Sequence, residues 1–173
     1  MIPEKVAKAF NEQIQKELFS AYLYLSMSAY FLDQGLDGIA QWMRAQAFEE
    51  VVHGMKFFDH LAERGGRIEL EAVEKPQLEW KSVVDAFKAA MKHEEFITGE
   101  INKLARLSEE ESDYASKSLL QWFVDEQIEE EASVSKVLQQ LEMVKDSPHG
   151  LLMMDKELGA RMPSAPAGEG EEG

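Results

Sequence analysis

The chain predicts an all-α fold: a four-helix bundle with one long crossover between its second and third helices, followed by a short fifth helix. Three observations carry this. Apolar residues recur three and four apart through four long stretches, the spacing that places them on one helical face. The strand alternation is weak throughout the 173 residues. Glycine, proline and capping residues punctuate the chain where one helix must stop and the next begin.

The first helix runs from about Pro3, a favoured first-turn residue, to about Asp33, and Gln34-Gly35-Leu36-Asp37-Gly38 turns the chain. Its inner stripe reads Phe10, Ile14, Ala21, Leu25 and Ser28. The second helix runs from about Gly38 to Arg64 and stops at Gly65-Gly66, with Ile39, Met43, Ala47, Phe57 and Leu61 inward. The third spans about Ser82, a good N-cap, to Glu110, along Phe87, Met91, Ile97, Ile101 and Leu104. The fourth spans about Asp113 to Asp146, along Leu119, Phe123, Val134, Val137 and Leu141. Each rod is about 40 Å long at ~1.5 Å per residue.

Short links join the first helix to the second and the third to the fourth, so those neighbours run antiparallel. The segment from Gly65 to Lys81 holds Pro76 and the apolar anchors Ile68, Leu70 and Val73. At ~3.3 Å per extended residue it is long enough to travel the bundle and let the second and third helices run parallel. Ser147-Pro148 opens the fifth helix, which reaches about Met162. Residues 1–162 thus form one domain, and 163–173, made only of Pro, Ser, Ala, Gly and Glu, read as a disordered tail. The first helix is apolar on more than one side: Phe19, Tyr22, Leu23 and Tyr30 fall off its stripe, which calls for further cover by the crossover or another subunit.

Composition narrows the function. The formal charge is −15, with no offsetting basic patch, so a nucleic-acid partner is not expected. No apolar run reaches the ~18 residues of a membrane span, and the amino-terminal residues lack a signal-peptide layout; a cytoplasmic protein is the expectation. The absence of cysteine excludes disulfides, thiolate zinc sites and iron–sulfur clusters.

The chemistry lies where the stripes are interrupted. Glu17, Glu50, Glu94 and Glu130 each stand mid-helix where the spacing calls for an apolar residue, and His53 follows Glu50 by one turn. Buried carboxylates cost several kcal/mol unless a cation meets them, and no Lys or Arg lies on these stripes. Carboxylates in excess with one imidazole suit iron or manganese; magnesium and calcium need no histidine, and structural zinc prefers Cys and more His. Glu50 is the natural bridge between two ions, His53 and Glu17 serving one, Glu94 and Glu130 the other. On the fourth helix Glu126, Glu129 and Glu130 share one arc, and Glu49 borders it. This acidic group reads as a third cation position or an exit track, against the plainer reading of a solvated face. Asp125 and Glu131 are expected in solvent, and His60, His93 and His149 at the surface. Tyr24 and Trp122 fall near the ligand arcs, as core packing or as electron donors.

At these residues the chain resembles the ferritins, in their non-haem bacterial and archaeal branch. The motifs are Gln15 to Tyr24 around Glu17, Glu49-Glu50-Val51-Val52-His53, His93-Glu94-Glu95, and Gln121 to Glu131. The likeness covers about Pro3 to Arg161. It implies a hollow homo-oligomeric shell of twenty-four subunits that oxidises Fe(II), with dioxygen or hydrogen peroxide as acceptor, and stores ferric mineral. It assigns Glu17, Glu50 and His53 to one iron and Glu50, Glu94 and Glu130 to the other. Gln127 would sit beside them, and Glu49, Glu126 and Glu129 would contribute to a third iron position. Bacterioferritins and rubrerythrins carry a second Glu-x-x-His on the fourth helix, where this chain has Ser133 three after Glu130. Val52 precedes His53, and no methionine stands at a bacterioferritin's haem position, so no haem is expected. The alternatives are a peroxidase-like di-iron enzyme that retains its iron, and a helical scaffold whose polar core residues only set register.

Overall fold

The computed structural model describes residues 1–161. Five helices follow in order: α1 (Glu4–Asp33), α2 (Asp37–Glu63), α3 (Val83–Glu110), α4 (Tyr114–Val144) and α5 (Pro148–Leu158). There are no strands among the described residues. The expected bounds hold to within a few residues. The fifth helix ends at Leu158, with Gly159 as its cap, and Met162 and the expected tail lie outside the described residues.

Local chemistry explains most ends. Gly35 and Gly65 close α1 and α2 in the left-handed backbone region, at φ 70° and 68°, which glycine adopts without a Cβ penalty. Ser82 caps α3 by accepting from the Asp85 amide, and Ser147 caps α5 by accepting from Gly150, with Pro148 in the first turn.

Side-chain pairings give the topology. Phe10, near the start of α1, packs on Phe57, near the end of α2, so the two helices are antiparallel. Lys16 pairs with Glu100 and Phe31 packs on Phe87, so α1 and α3 are antiparallel too. Two helices antiparallel to a third run parallel to each other; α2 and α3 therefore require the long crossover. That crossover lies along α1. Asn11 donates to the Arg67 carbonyl (2.9 Å) and accepts from the Glu69 amide (2.8 Å), Ser26 donates to Gln77 (2.6 Å) and Tyr30 to Trp80 (3.0 Å). These bonds satisfy backbone groups of a segment that has no helix or sheet to do so.

The second apolar side of α1 is accordingly divided. Leu23 and Tyr30 are buried in the core cluster that Trp80 of the crossover joins, Phe19 is half-buried, and Tyr22 stays half exposed. Leu25, expected on the inner stripe, is 46% exposed: the stripe drifts, and Tyr24 takes the inward position instead. Met91 and Leu119 are likewise only half-buried, their places taken by Ala90 and Leu120.

Two apolar clusters fill the bundle. One holds Tyr24, Met27, Phe31, Trp42, Met43, Phe87 and Val134; the other holds Phe10, Ile14, Phe57, Ile97, Ile101 and Phe123. Between them, at mid-height of all four long helices, lies a buried polar layer. Glu17, Glu50, His53, Glu94, Gln127 and Glu130 are all at most 5% exposed.

Candidate metal centre

Each helix delivers its polar group from the gap between an upper and a lower core residue. Glu17 lies between Ile14 and Ala21, Glu50 and His53 between Ala47 and Phe57, Glu94 between Ala90 and Ile97, and Gln127 and Glu130 between Phe123 and Val134. α2 and α1 run close there: a Cβ at Gly54 would stand 3.5 Å from Glu17 Cβ, an ordinary van der Waals contact.

Two groups of ligating atoms form. Glu17, Glu50 and His53 each offer an atom within 4.8 Å of the others, and so do His53, Glu126 and Glu130. His53 Nδ1 lies 3.3 Å from Glu50 Oε2, and His53 Nε2 lies 3.9 Å from Glu126 Oε1. The first triad is the one that sequence assigns to one ion. The second departs from it: Glu130 joins His53 and Glu126, and Glu94 stands outside both triads because it is held elsewhere. The Tyr24 hydroxyl donates to Glu94 Oε1, and the Gln127 amide donates to Glu94 Oε2 at 3.4 Å and to the Thr98 hydroxyl at 3.2 Å. Glu94 nevertheless acts electrostatically on both Glu50 and Glu130.

Burial and mutual repulsion govern the charges. Burial, with Glu94 nearby, pushes the Glu50 carboxyl well above its ordinary range. Burial and Glu130 push Glu94 to about 7, and burial raises Glu17 and Glu130 as well. Burial opposes a charged His53 ring, but Glu126 and Glu50 outweigh it and hold its pKa well above the usual histidine value. Burial also lifts the Tyr24 phenol well above its normal range. Such a cluster is a set of charges in want of a cation. The orphaned atom agrees: Glu17 Oε2 is buried with no hydrogen-bond partner among the described residues.

Two residues absent from the sequence reading orient these carboxylates. Gln13 donates to Glu17 Oε1 at 2.8 Å, and Gln46 donates to Glu130 Oε2 at 2.7 Å, both glutamines being fully buried. Their signal was available: Gln13 and Gln46 stand four residues before Glu17 and Glu50, on the same faces. Supporting groups of this kind fix the ligand rotamer before an ion arrives.

The third acidic group is only partly gathered. Glu126 contacts His53, Glu49 is buried, and Glu129 is exposed and outside both triads. A cation does reach this group from within the chain, although none lies on the stripes. Arg161, beyond α5, sets its Nη2 2.6 Å from Glu49 Oε2.

The other expected positions sort as follows. Trp122 meets the His53 ring edge-on at 5.6 Å and carries the Lys56 ammonium 4.3 Å from its centroid. Asp125 is exposed; Glu131 is half-buried and accepts from Thr98 at 2.5 Å, because α3 packs against it. His93 is half-buried rather than fully at the surface, and it belongs to neither triad: it packs between Phe19 and Phe96, bonds Ser20 at 2.7 Å, and burial lowers its pKa to about 4. His60 is half-buried at the bundle end, where it bonds Ser116 at 3.0 Å beside the Arg64–Asp113 ion pair. His149 is exposed in the first turn of α5.

Comparison with known proteins agrees with this geometry. The family model described as a ferritin-like domain matches residues 7–144. A bacterial non-heme ferritin-like protein of Haemophilus influenzae is 39% identical over 92% of this chain and 96% of its own. A bacterial non-heme ferritin of Staphylococcus aureus is 34% identical over 93% and 97%. Among solved structures, the open-pore ferritin of the archaeon Archaeoglobus fulgidus is 46% identical, with TM-score 0.93 over 94% of this chain and 100% of that one. A closed form of the same ferritin, engineered by mutagenesis, also superposes with TM-score 0.93. A buried carboxylate–imidazole layer in a bundle of this topology, matched over nearly its whole length, leaves one conclusion: the chain belongs to the ferritin family, in its non-haem branch, and is an iron-storage protein.

Proposed function

We propose that the chain is a ferroxidase that oxidises Fe(II) within its own bundle and passes the Fe(III) to a mineral store inside a homo-oligomeric shell. Iron is here substrate and cargo. The observation that carries the reading is the triad of Glu17, Glu50 and His53, gathered within 4.8 Å at nearly complete burial, with Glu17 Oε2 left without a hydrogen-bond partner among the described residues.

Two Fe(II) ions enter, one toward Glu17, Glu50 and His53, the other toward Glu130, Glu94 and the far oxygen of Glu50, with Gln127 beside them. Their arrival displaces the protons that burial holds on these carboxylates. Each ion then gives up one electron. The pair reduces dioxygen and two protons to hydrogen peroxide, or hydrogen peroxide and two protons to two waters. Carboxylate donors favour the higher iron charge and so drive the oxidation. One imidazole and flexible carboxylates hold the product weakly enough to release it. Glu49, Glu126 and Glu129 line a third position on the way out.

Assembly has physical support. Tyr22, Leu25 and Leu78, all about half exposed, surround a groove between α1 and the crossover, an apolar surface that a neighbouring subunit would cover. A shell of twenty-four subunits is the form proposed. Among the described residues no helix is long and apolar enough to cross a membrane.

Glu50→Ala tests the reading. It is expected to abolish rapid Fe(II) oxidation under air while the shell elutes unchanged in size; wild-type oxidation in this variant would overturn the assignment. Loading far beyond two iron atoms per chain separates storage from an enzyme that keeps its iron.

A further inference from the structure

The helix after the bundle is anchored with unusual closeness to one end of α2. A Cβ at Gly38 would overlap the Asp155 carbonyl, and one at Gly159 would stand 2.9 Å from Gly38 Cα, so backbone lies against backbone. Asp155 Oδ1 accepts from the Ile39 amide at 2.8 Å, filling an open donor at the α2 amino terminus. Met154 and Leu158 complete the dock by joining the core cluster of Trp42 and Val137. Gly38, Trp42 and Glu49 recur at helical spacing down one side of α2. The chain leaving α5 is thereby delivered along that side.

Arg161 ends this path. Its guanidinium carbon lies 4.7 Å from the Trp42 ring centroid and its Nη2 bonds Glu49 at 2.6 Å. The side chain is 24% exposed, yet its Nη1 is buried and has no hydrogen-bond partner among the described residues. A buried unpaired donor costs about 1–3 kcal/mol, so the present pairing leaves the guanidinium less than fully satisfied. The arrangement holds one acidic group and leaves half of the cation unserved.

We propose that Arg161 is an internal stand-in cation for the third iron position: it neutralises Glu49 in the iron-free chain and yields that carboxylate when a divalent ion arrives. This rests on the reading of Glu49, Glu126 and Glu129 as an iron position. Displaced, the guanidinium turns to water and regains hydrogen bonds for its buried arm, which offsets part of the loss of Glu49. The segment after Leu158 then loses its tether, so occupancy beside the centre is transmitted to the chain end. Arg161 is in this sense a positioning residue that sets how tightly the third ion is held.

The test is calorimetric titration of the assembled iron-free protein with Fe(II) without oxygen, for wild type, Arg161→Gln, Arg161→Lys and Glu49→Gln, alongside hydrogen exchange of residues 155–161. Arg161→Gln is expected to tighten the weakest of three binding steps by about tenfold, the factor that ~1.4 kcal/mol of removed competition produces, and to leave the two stronger steps unchanged. Arg161→Lys is expected to retain most of the competition. In wild type, filling the third step is expected to speed exchange at residues 159–161, a change that Arg161→Gln lacks. A third step unchanged or weakened in Arg161→Gln overturns the stand-in role while leaving the iron position intact. Only two binding steps in wild type and Arg161→Gln alike overturn the third position itself, and the inference with it.

Discussion

Tyr24 shows how much a single buried hydroxyl can govern. It is completely enclosed, and it donates to Glu94, a carboxylate that Gln127 also reaches. Removing one partner of a buried polar group costs its desolvation, about 1–3 kcal/mol. Tyr24→Phe is therefore expected to lower the unfolding free energy of the iron-free protein by that order, read from denaturant melts, and to let Glu94 swing toward Glu50 and Glu130. The variant's initial rate of Fe(II) oxidation decides a second question: a rate near wild type assigns Tyr24 to packing, and a large loss assigns it to the chemistry. At this scale the buried polar layer was legible before the fold, because Glu17, Glu50, Glu94 and Glu130, with His53 and Gln127, break stripes that are otherwise mostly apolar. Glu94's tie to Tyr24 was not legible, since the two lie seventy residues apart and meet only when α1 packs on α3.

At the scale of the element, glycine separates packing from propensity. Gly99 sits mid-α3 with nothing within 4 Å of a new Cβ, so Gly99→Ala is expected to stabilise by about 0.5–1 kcal/mol through helix propensity alone. Gly38→Ala is expected to do the reverse. Its methyl would collide with the Asp155 carbonyl, α5 must undock, and overpacking of this kind costs about 1–3 kcal/mol or more. Thermal melts of the two variants check the signs, and proteolysis between α4 and α5 should accelerate only in Gly38→Ala. The bounds of α1 to α4 were readable from Pro3, Gly35, Gly65 and Ser82, since caps and turns are local chemistry. Leu25 was misplaced because α1 packs on α2, α3 and the crossover at once, and one stripe cannot describe three contacts.

For the whole molecule, the centre ties stability to pH and to metal. Glu17, Glu50, Glu94 and Glu130 all have folded pKa values raised by burial, above their unfolded values near 4.5. The folded chain therefore binds more protons than the unfolded one between pH ~4.5 and ~7, and stability falls as pH rises through that window. Glu94 alone, raised to about 7, contributes on the order of 3 kcal/mol at ~1.4 kcal/mol per pKa unit. His53, raised by its acidic neighbours, acts in the same direction. Asp113 and Glu100 are depressed by Arg64 and by Lys103 and Lys16 respectively, so their stabilisation is lost as pH drops below the ordinary carboxylate range. The iron-free protein should melt highest near pH 5 and lower at pH 8, where a saturating divalent cation restores the loss; calorimetry at both values, with and without Zn(II), checks it. A melting point higher at pH 8 without metal would contradict the repulsion inferred for the centre.

The residue pattern alone settled the helix count, the long crossover and the hard, oxygen-rich chemistry of the site. These follow from periodicity, chain reach and residue type, all of which act within a few turns of one strand of chain. Packing decided the rest: that Glu130 faces His53 and Glu126 while Glu94 turns to Tyr24, that Gln13 and Gln46 orient the carboxylates, and that Arg161 reaches back to Glu49. Those contacts join residues distant along the chain, and their geometry exists only once four helix faces and the docked α5 close on one another.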